Sequence, residues 1–315
     1  MKKALVVGID DYPLSPLNGC INDANAIANT LESNGDGSPN FGVKLITSPS
    51  VELTKPVLRE AIEELFSGEP DMALLYFSGH GFIRSTGGYL VTKDAVRYDE
   101  GVSMDEILNL ANHSKAKNKV IILDCCHSGA LGSPNVTGSN LAQLSEGLSV
   151  LTASRDSEPA IEINGSGVFT SLVVDALKGG AADLRGNITP GSLYAYVDEA
   201  LGAWDQRPIF KTNVSSFTSL RNVPPKVSFE TMRKITTYFQ TPESEYGLDP
   251  SYEYTEAAAI EENVKIFKDL QKFQGVGLVV PVDEEFMYFA ALNSKSCRLT
   301  AIGYQYWRLV NEKKL

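Results

Sequence analysis

The stretch MALLYFSGHG (Met72–Gly81) decides the fold class when set beside a second one, VIILDCCHSG (Val120–Gly129). Each begins as an unbroken apolar run and ends in Ser, Gly, His, Asp or Cys. A run that is apolar throughout has no wet face, so it reads as a strand covered on both sides. Outward from these two lie ALVVGI (Ala4–Ile9), VKLIT (Val43–Thr47) and LSVLT (Leu148–Thr152), and PIFKT (Pro208–Thr212) closes the series. Amphipathic segments separate them, at Asn22–Asn34, Lys55–Phe66, Ser103–Ala111 and Val168–Lys178. Apolar strands alternating with helices predict an α/β fold with a mostly parallel sheet flanked by helices.

In such a sheet the reactive groups gather beyond the carboxyl ends of the strands. If the two motif strands are neighbours, His80 and Cys126 meet on one edge. A cysteine thiol titrates near 8.5 and is mostly protonated at neutral pH, so a nucleophilic cysteine needs a base beside it. A histidine can take that proton and later return one to a leaving amine. The glycines around His80 leave room for a substrate backbone, and the N–H groups of Gly81 and Cys126 are candidate donors to an oxyanion. Alone, His80 would read as a structural histidine and Cys126 as an inert buried thiol. Their paired strand-end contexts favour chemistry.

The two motifs, with VVGIDDY and NGCINDA upstream and LTASRDSEPAIE, GVFTSLVVDAL and QRPIF downstream, resemble the caspase/metacaspase clan of cysteine peptidases, prokaryotic members included. The likeness spans approximately residues 1–222. It implies a caspase-like fold, with Cys126 as nucleophile and His80 as acid–base partner. Cys125 would be a small buried hydrophobe. It further implies an acidic pocket for the residue before the cut, at Asp23, Ser78 and Asp124, with Asp156 at its rim, and hence an endopeptidase acting after Arg or Lys. Paired carboxylates are costly to bury unless a cation joins them, and a guanidinium suits bidentate capture. The plainer alternatives are a helix cap for Asp23 and strand-end hydrogen bonding for Asp124. No cofactor is expected. Many metacaspases use calcium, but the segment after SGHG lacks a run of paired acids, keeping only Asp94, Asp99 and Glu100. Regulated proteolysis, such as stress or antiviral signalling, is the biological role that the resemblance suggests.

The chain has 315 residues and a formal net charge of -11. That charge disfavours nucleic acid as a partner, because phosphate contacts need clustered Lys and Arg. Protein or peptide substrates with Arg or Lys before the cut are expected instead, together with a protein activator or inhibitor. The four cysteines form no CxxC pair, and no segment is long and apolar enough for a membrane span, so a reducing, cytoplasmic location is expected. The peptidase region divides into a larger portion (1–129), a Gly/Ser/Asn-rich linker (130–147) and a smaller portion (148–222).

Beyond Asn222 the composition shifts to a small α+β domain (223–315), with 11 Lys/Arg against 13 Asp/Glu from Val223 onward. Its expected helix at 255–273, strands at 276–282 and 286–292, and closing helix at 299–312 are similar to the latter part of a winged-helix domain. A regulatory or interaction role is expected for it. The rival to the peptidase is a catalytically silent caspase-like protein that works as a binding module through this domain.

Overall fold

The structure is a computed structural model that describes residues 1–84, 87–97, 99–125, 143–153, 162–163, 166–201 and 207–315. Two compact units divide the chain, Met1–Pro224 and Pro225–Leu315.

In the first unit, β1 (Lys2–Gly8), α1 (Cys20–Leu31), β2 (Phe41–Thr47), α2 (Lys55–Phe66) and β3 (Met72–Ser78) alternate as the sequence predicts. A small antiparallel sheet follows, made of β4 (Gly81–Arg84), β5 (Gly87–Val96) and β6 (Asp99–Ser103). It leads into α3 (Met104–His113) and β7 (Asn118–Asp124). After β8 (Leu148–Thr152) come a short antiparallel pair, β9 (Glu162–Ile163) and β10 (Ser166–Gly167), then α4 (Val168–Asp175), β11 (Asn187–Ile188), α5 (Pro190–Leu201), β12 (Ile209–Asn213) and β13 (Arg221–Asn222). The central sheet runs β12-β8-β7-β3-β1-β2, and only β12 is antiparallel to its neighbour.

Alternation along the strands sorts the core into two layers. Leu5, Val7, Leu75, Phe77, Ile121 and Leu123 pack on one face with Leu58, Ile62 and Ile107 from α2 and α3. Val6, Leu74, Tyr76 and Ile122 pack on the other with Ile27, Phe169, Val173 and Leu193 from α1, α4 and α5. Gly8 permits the second layer to close, because a side chain there would bring its Cβ to 2.8 Å from the Cβ of Ala24 on α1. Register then sets the site. Gly8 lies opposite Ser78, and Ser78 opposite Asp124, so the two motif strands end level with each other.

The second unit contains α6 (Phe229–Arg233), α7 (Ile235–Tyr238), β14 (Glu245–Gly247), α8 (Glu261–Gly275), β15 (Val279–Val282), α9 (Met287–Leu292), β16 (Ser296–Leu299) and α10 (Ala301–Asn311). Its antiparallel sheet has the order β14-β16-β15. The strand expected at 286–292 is a helix. Its buried residues, Met287, Ala290 and Ala291, follow helical spacing, which an all-apolar run conceals from a period-two reading. The true partner of β15 is Ser296–Leu299, a run too short and polar to stand out. On α8, Asp269 accepts hydrogen bonds from Lys234 Nζ (2.8 Å), Tyr238 Oη (3.0 Å) and Lys272 Nζ (3.3 Å). Burial alone would raise this carboxyl, but those three donors outweigh it and hold Asp269 below the usual carboxylate range.

Candidate active site

His80 is separated from the end of β3 by Gly79 alone, and Cys125 follows β7 directly. Gly79 N–H reaches the Asp124 carbonyl at 3.4 Å, tying the two chains just past the sheet. Cys125 is buried in the α2/α3 layer, the opposite face from Asp124, as alternation requires. Cys126, His127 and Asp156 lie outside the described residues, as does most of the linker (130–142).

The loop between β1 and α1 fixes the imidazole. His80 Nε2 lies 2.7 Å from the carbonyl oxygen of Ser15. A carbonyl only accepts, so Nε2 carries the hydrogen and, in the neutral ring, Nδ1 keeps its lone pair. From the same loop, Tyr12 Oη accepts the backbone N–H of His80 (3.0 Å) and donates to the Val91 carbonyl (3.2 Å). Its ring packs against the imidazole with centroids 4.6 Å apart. Neither Tyr12 nor Ser15 was a sequence candidate. Ser15 acts through its carbonyl, which leaves no trace in residue type, whereas the VVGIDDY motif did contain Tyr12.

Gly81 starts β4 opposite Leu90, while Val91 N–H donates to the His80 carbonyl at 3.0 Å. This makes Gly81–Leu90 a non-hydrogen-bonded pair of the antiparallel ladder, so the Gly81 N–H is turned away from β5.

On the other side of the strand ends, Asp23 from α1 and Asp124 from β7 are buried, at 3% and 6% exposure, and Ser78 is buried with them. Both Asp23 oxygens accept from the Gly167 N–H, at 3.2 and 3.0 Å. Asp124 Oδ2 accepts from the Thr170 hydroxyl at 2.6 Å, and Thr170 Oγ1 lies 2.6 Å from Tyr76 Oη. A Cβ built on Gly167 would stand 2.5 Å from Asp124 Oδ2 and 3.0 Å from Asp23 Oδ2, so both carboxylates converge on one backbone point. Burial, and then the Asp124 and Asp23 charges, push the Tyr76 hydroxyl well above its usual range. Asp23 is therefore inside helix α1 and not its cap. Asp10 takes the capping role, accepting the N–H of Cys20 (2.9 Å) and of Ile21 (3.3 Å).

The acids after SGHG are engaged by the chain's own donors. Asp94 accepts from the Lys55 backbone N–H (2.9 Å) and the Thr92 hydroxyl (2.6 Å), Asp99 pairs with Lys55 Nζ (2.6 Å) and Glu100 with Arg84 (2.8 Å). No metal-ligating group of three or more His, Cys, Asp or Glu occurs among the described residues. Nor, among them, is any helix long and apolar enough to cross a membrane.

Solved structures share this architecture. A protein from Geobacter sulfurreducens, GSU0716, superposes with a TM-score of 0.52 at 17% identity, covering 71% of this chain and 98% of that one. Caspase-1 from Spodoptera frugiperda superposes with a TM-score of 0.53 at 11% identity, covering 70% and 92%. None of the curated proteins matches the chain. Residues 1–233 match the caspase-domain model, so the chain belongs to the Peptidase C14 family of caspase-type cysteine peptidases.

Proposed function

We propose that the chain is a cysteine endopeptidase that cuts proteins after Arg or Lys. One observation carries this: an oriented imidazole and two buried carboxylates flank the end of β7, two positions before Cys126 in the sequence. Nδ1 of His80 takes the Cys126 thiol proton, and the thiolate adds to the scissile carbonyl carbon. The N–H groups of Gly81 and Cys126 hold the resulting oxyanion. As the tetrahedral species collapses, the C–N bond breaks and the imidazolium gives its proton to the leaving amine. Water, deprotonated by His80, then hydrolyses the thioester, releasing the new carboxyl end and restoring the thiol.

Asp23 and Asp124, with Ser78 beside them and Asp156 at the rim, form the cation pocket. A guanidinium or ammonium replaces the neutral donors of Gly167 and Thr170 as their partner. Residues 223–315 couple the peptidase to a protein sensor, activator or inhibitor. The protein works in a reducing compartment such as the cytoplasm, in stress or antiviral signalling.

Fluorogenic peptides ending in Arg, Lys or Asp, given to wild type, Cys126→Ala and Asp124→Asn, test this. Turnover after Arg and Lys should vanish in Cys126→Ala. It should fall about 30-fold or more in Asp124→Asn, since losing one partner of a buried charge pair costs about 2–5 kcal/mol. Turnover after Asp alone would refute the pocket and keep the nucleophile. No turnover after any residue would favour the silent binding module.

A further inference from the structure

A concave surface lies beside the imidazole. A cavity of about 570 Å³ opens between the β1–α1 loop and the β4–β6 sheet. It is lined by His80 and Gly81 but by none of Asp23, Ser78, Asp124 or Gly167. Its apolar wall comes from Leu14, Phe82, Val91 and Val96. Leu14 is 98% exposed and Val96 64% exposed, with Phe82 also open to solvent. Large apolar side chains left in water around a concave surface mark a surface that gains by being covered.

We propose that this cavity receives the leaving side of the substrate and selects a bulky apolar residue, Leu or Phe, one or two positions after the cut. The inference rests on the peptidase function above, and the chemistry of that reaction supplies the direction. The group that protonates the leaving amine must stand where the departing chain begins. The buried carboxylates claim the side before the cut, so a cavity that shares His80 and Gly81 but not those acids lies on the departing side.

Charge at the rim agrees with an apolar occupant. Arg84 is matched by Glu100 at 2.8 Å, and its guanidinium lies over the Phe82 ring, 4.7 Å from the centroid. Its charge is thus neutralised and its flat face spent on the aromatic. Arg97 also lines the cavity, which makes an acidic residue after the cut the rival occupant.

The test uses internally quenched peptides with Arg before the cut and Gly, Leu, Phe or Asp at the two positions after it. Wild type is compared with the double variant Leu14→Ser/Val96→Ser, both substitutions falling on exposed side chains. Leu and Phe peptides should be cut roughly 10- to 100-fold faster than the Gly peptide, as expected for burying one large apolar side chain. In the double variant this ratio should fall toward one. Equal rates across the series, a preference for Asp, or a ratio unchanged in the variant would overturn the proposal.

A second arm does not need turnover. Fluorescence anisotropy follows C-terminally fluorescein-labelled Phe-Phe-Ala-Ala and Gly-Gly-Ala-Ala, each with a free amino terminus as in a released product. Several-fold tighter binding of the Phe peptide, lost in the double variant, supports the cavity, and equal affinities overturn it. Should every Arg and Lys peptide resist cleavage, the peptidase function fails and this arm still decides the cavity.

Discussion

Replacing Gly167 with alanine probes the acidic pair with one methyl group. The backbone at Gly167 has φ -66 and ψ 133, which alanine adopts freely, so any effect comes from the methyl. That methyl would sit 2.5 Å from Asp124 Oδ2 and 3.0 Å from Asp23 Oδ2. Ordinary heavy-atom contact needs about 3.5 Å, so the Asp124 carboxyl must shift by about 1 Å. A shift of that size suffices to break its 2.6 Å bond from Thr170. A lost hydrogen bond to a charged group costs about 1.5–3 kcal/mol. Urea denaturation should therefore show the peptidase unit weakened by about that amount, and kcat/KM on an Arg peptide should fall about tenfold. Thr170→Val removes the same bond without crowding, so the two substitutions together should cost less than their sum. Additive effects, or a Gly167→Ala protein with stability within about 0.5 kcal/mol and activity within twofold of wild type, would refute the convergence of the two acids on this point.

Two other perturbations separate the site from the scaffold. Tyr12→Phe removes the oxygen that accepts from the His80 N–H and donates to Val91, leaving both backbone groups without that partner. It should cost about 1–3 kcal/mol in denaturant unfolding, and it should lower kcat more than it raises KM, because the imidazole loses its support. Asp269 tests the second unit by pH. Its folded pKa is depressed, so its contribution is fully present above the unfolded value near 4 and fades as pH falls through the lower folded value. Acid titration of the intact protein, followed by near-UV circular dichroism, should show a shallower loss of that unit's stability below about pH 4 in Asp269→Asn. An unchanged slope would count against the Lys234–Tyr238–Lys272 cage.

The parallel sheet was legible because its strands are buried on both faces, which makes runs such as Met72–Phe77 apolar without interruption. Short strands escaped. Gly81–Arg84 and Ser296–Leu299 are four residues each, too few for periodicity to speak. Within the site, residue type announced His80 and the two acids. The Ser15 carbonyl and the Gly167 N–H did not announce themselves, because every residue has a backbone and only the fold selects which one is used. Thr170 was hidden differently. It sits inside GVFTSLVVDAL beside Ser171, where two hydroxyls in an otherwise apolar helix read as filler until Asp124 appears next to one of them.

The loop from Asp11 to Gly19 hangs from Asp10, whose carboxylate caps α1 and whose carbonyl accepts from Tyr12 and Leu17. That one loop delivers the Ser15 carbonyl to the imidazole, the Tyr12 hydroxyl to the backbone behind it, and Leu14 to the neighbouring cavity. Orientation of the imidazole and shape of the adjoining surface are therefore inherited together and cannot drift apart. A substitution of Asp10 would therefore disturb the imidazole and the cavity wall together, through the loop. A change in this loop that reshaped the cavity would re-aim the histidine in the same step.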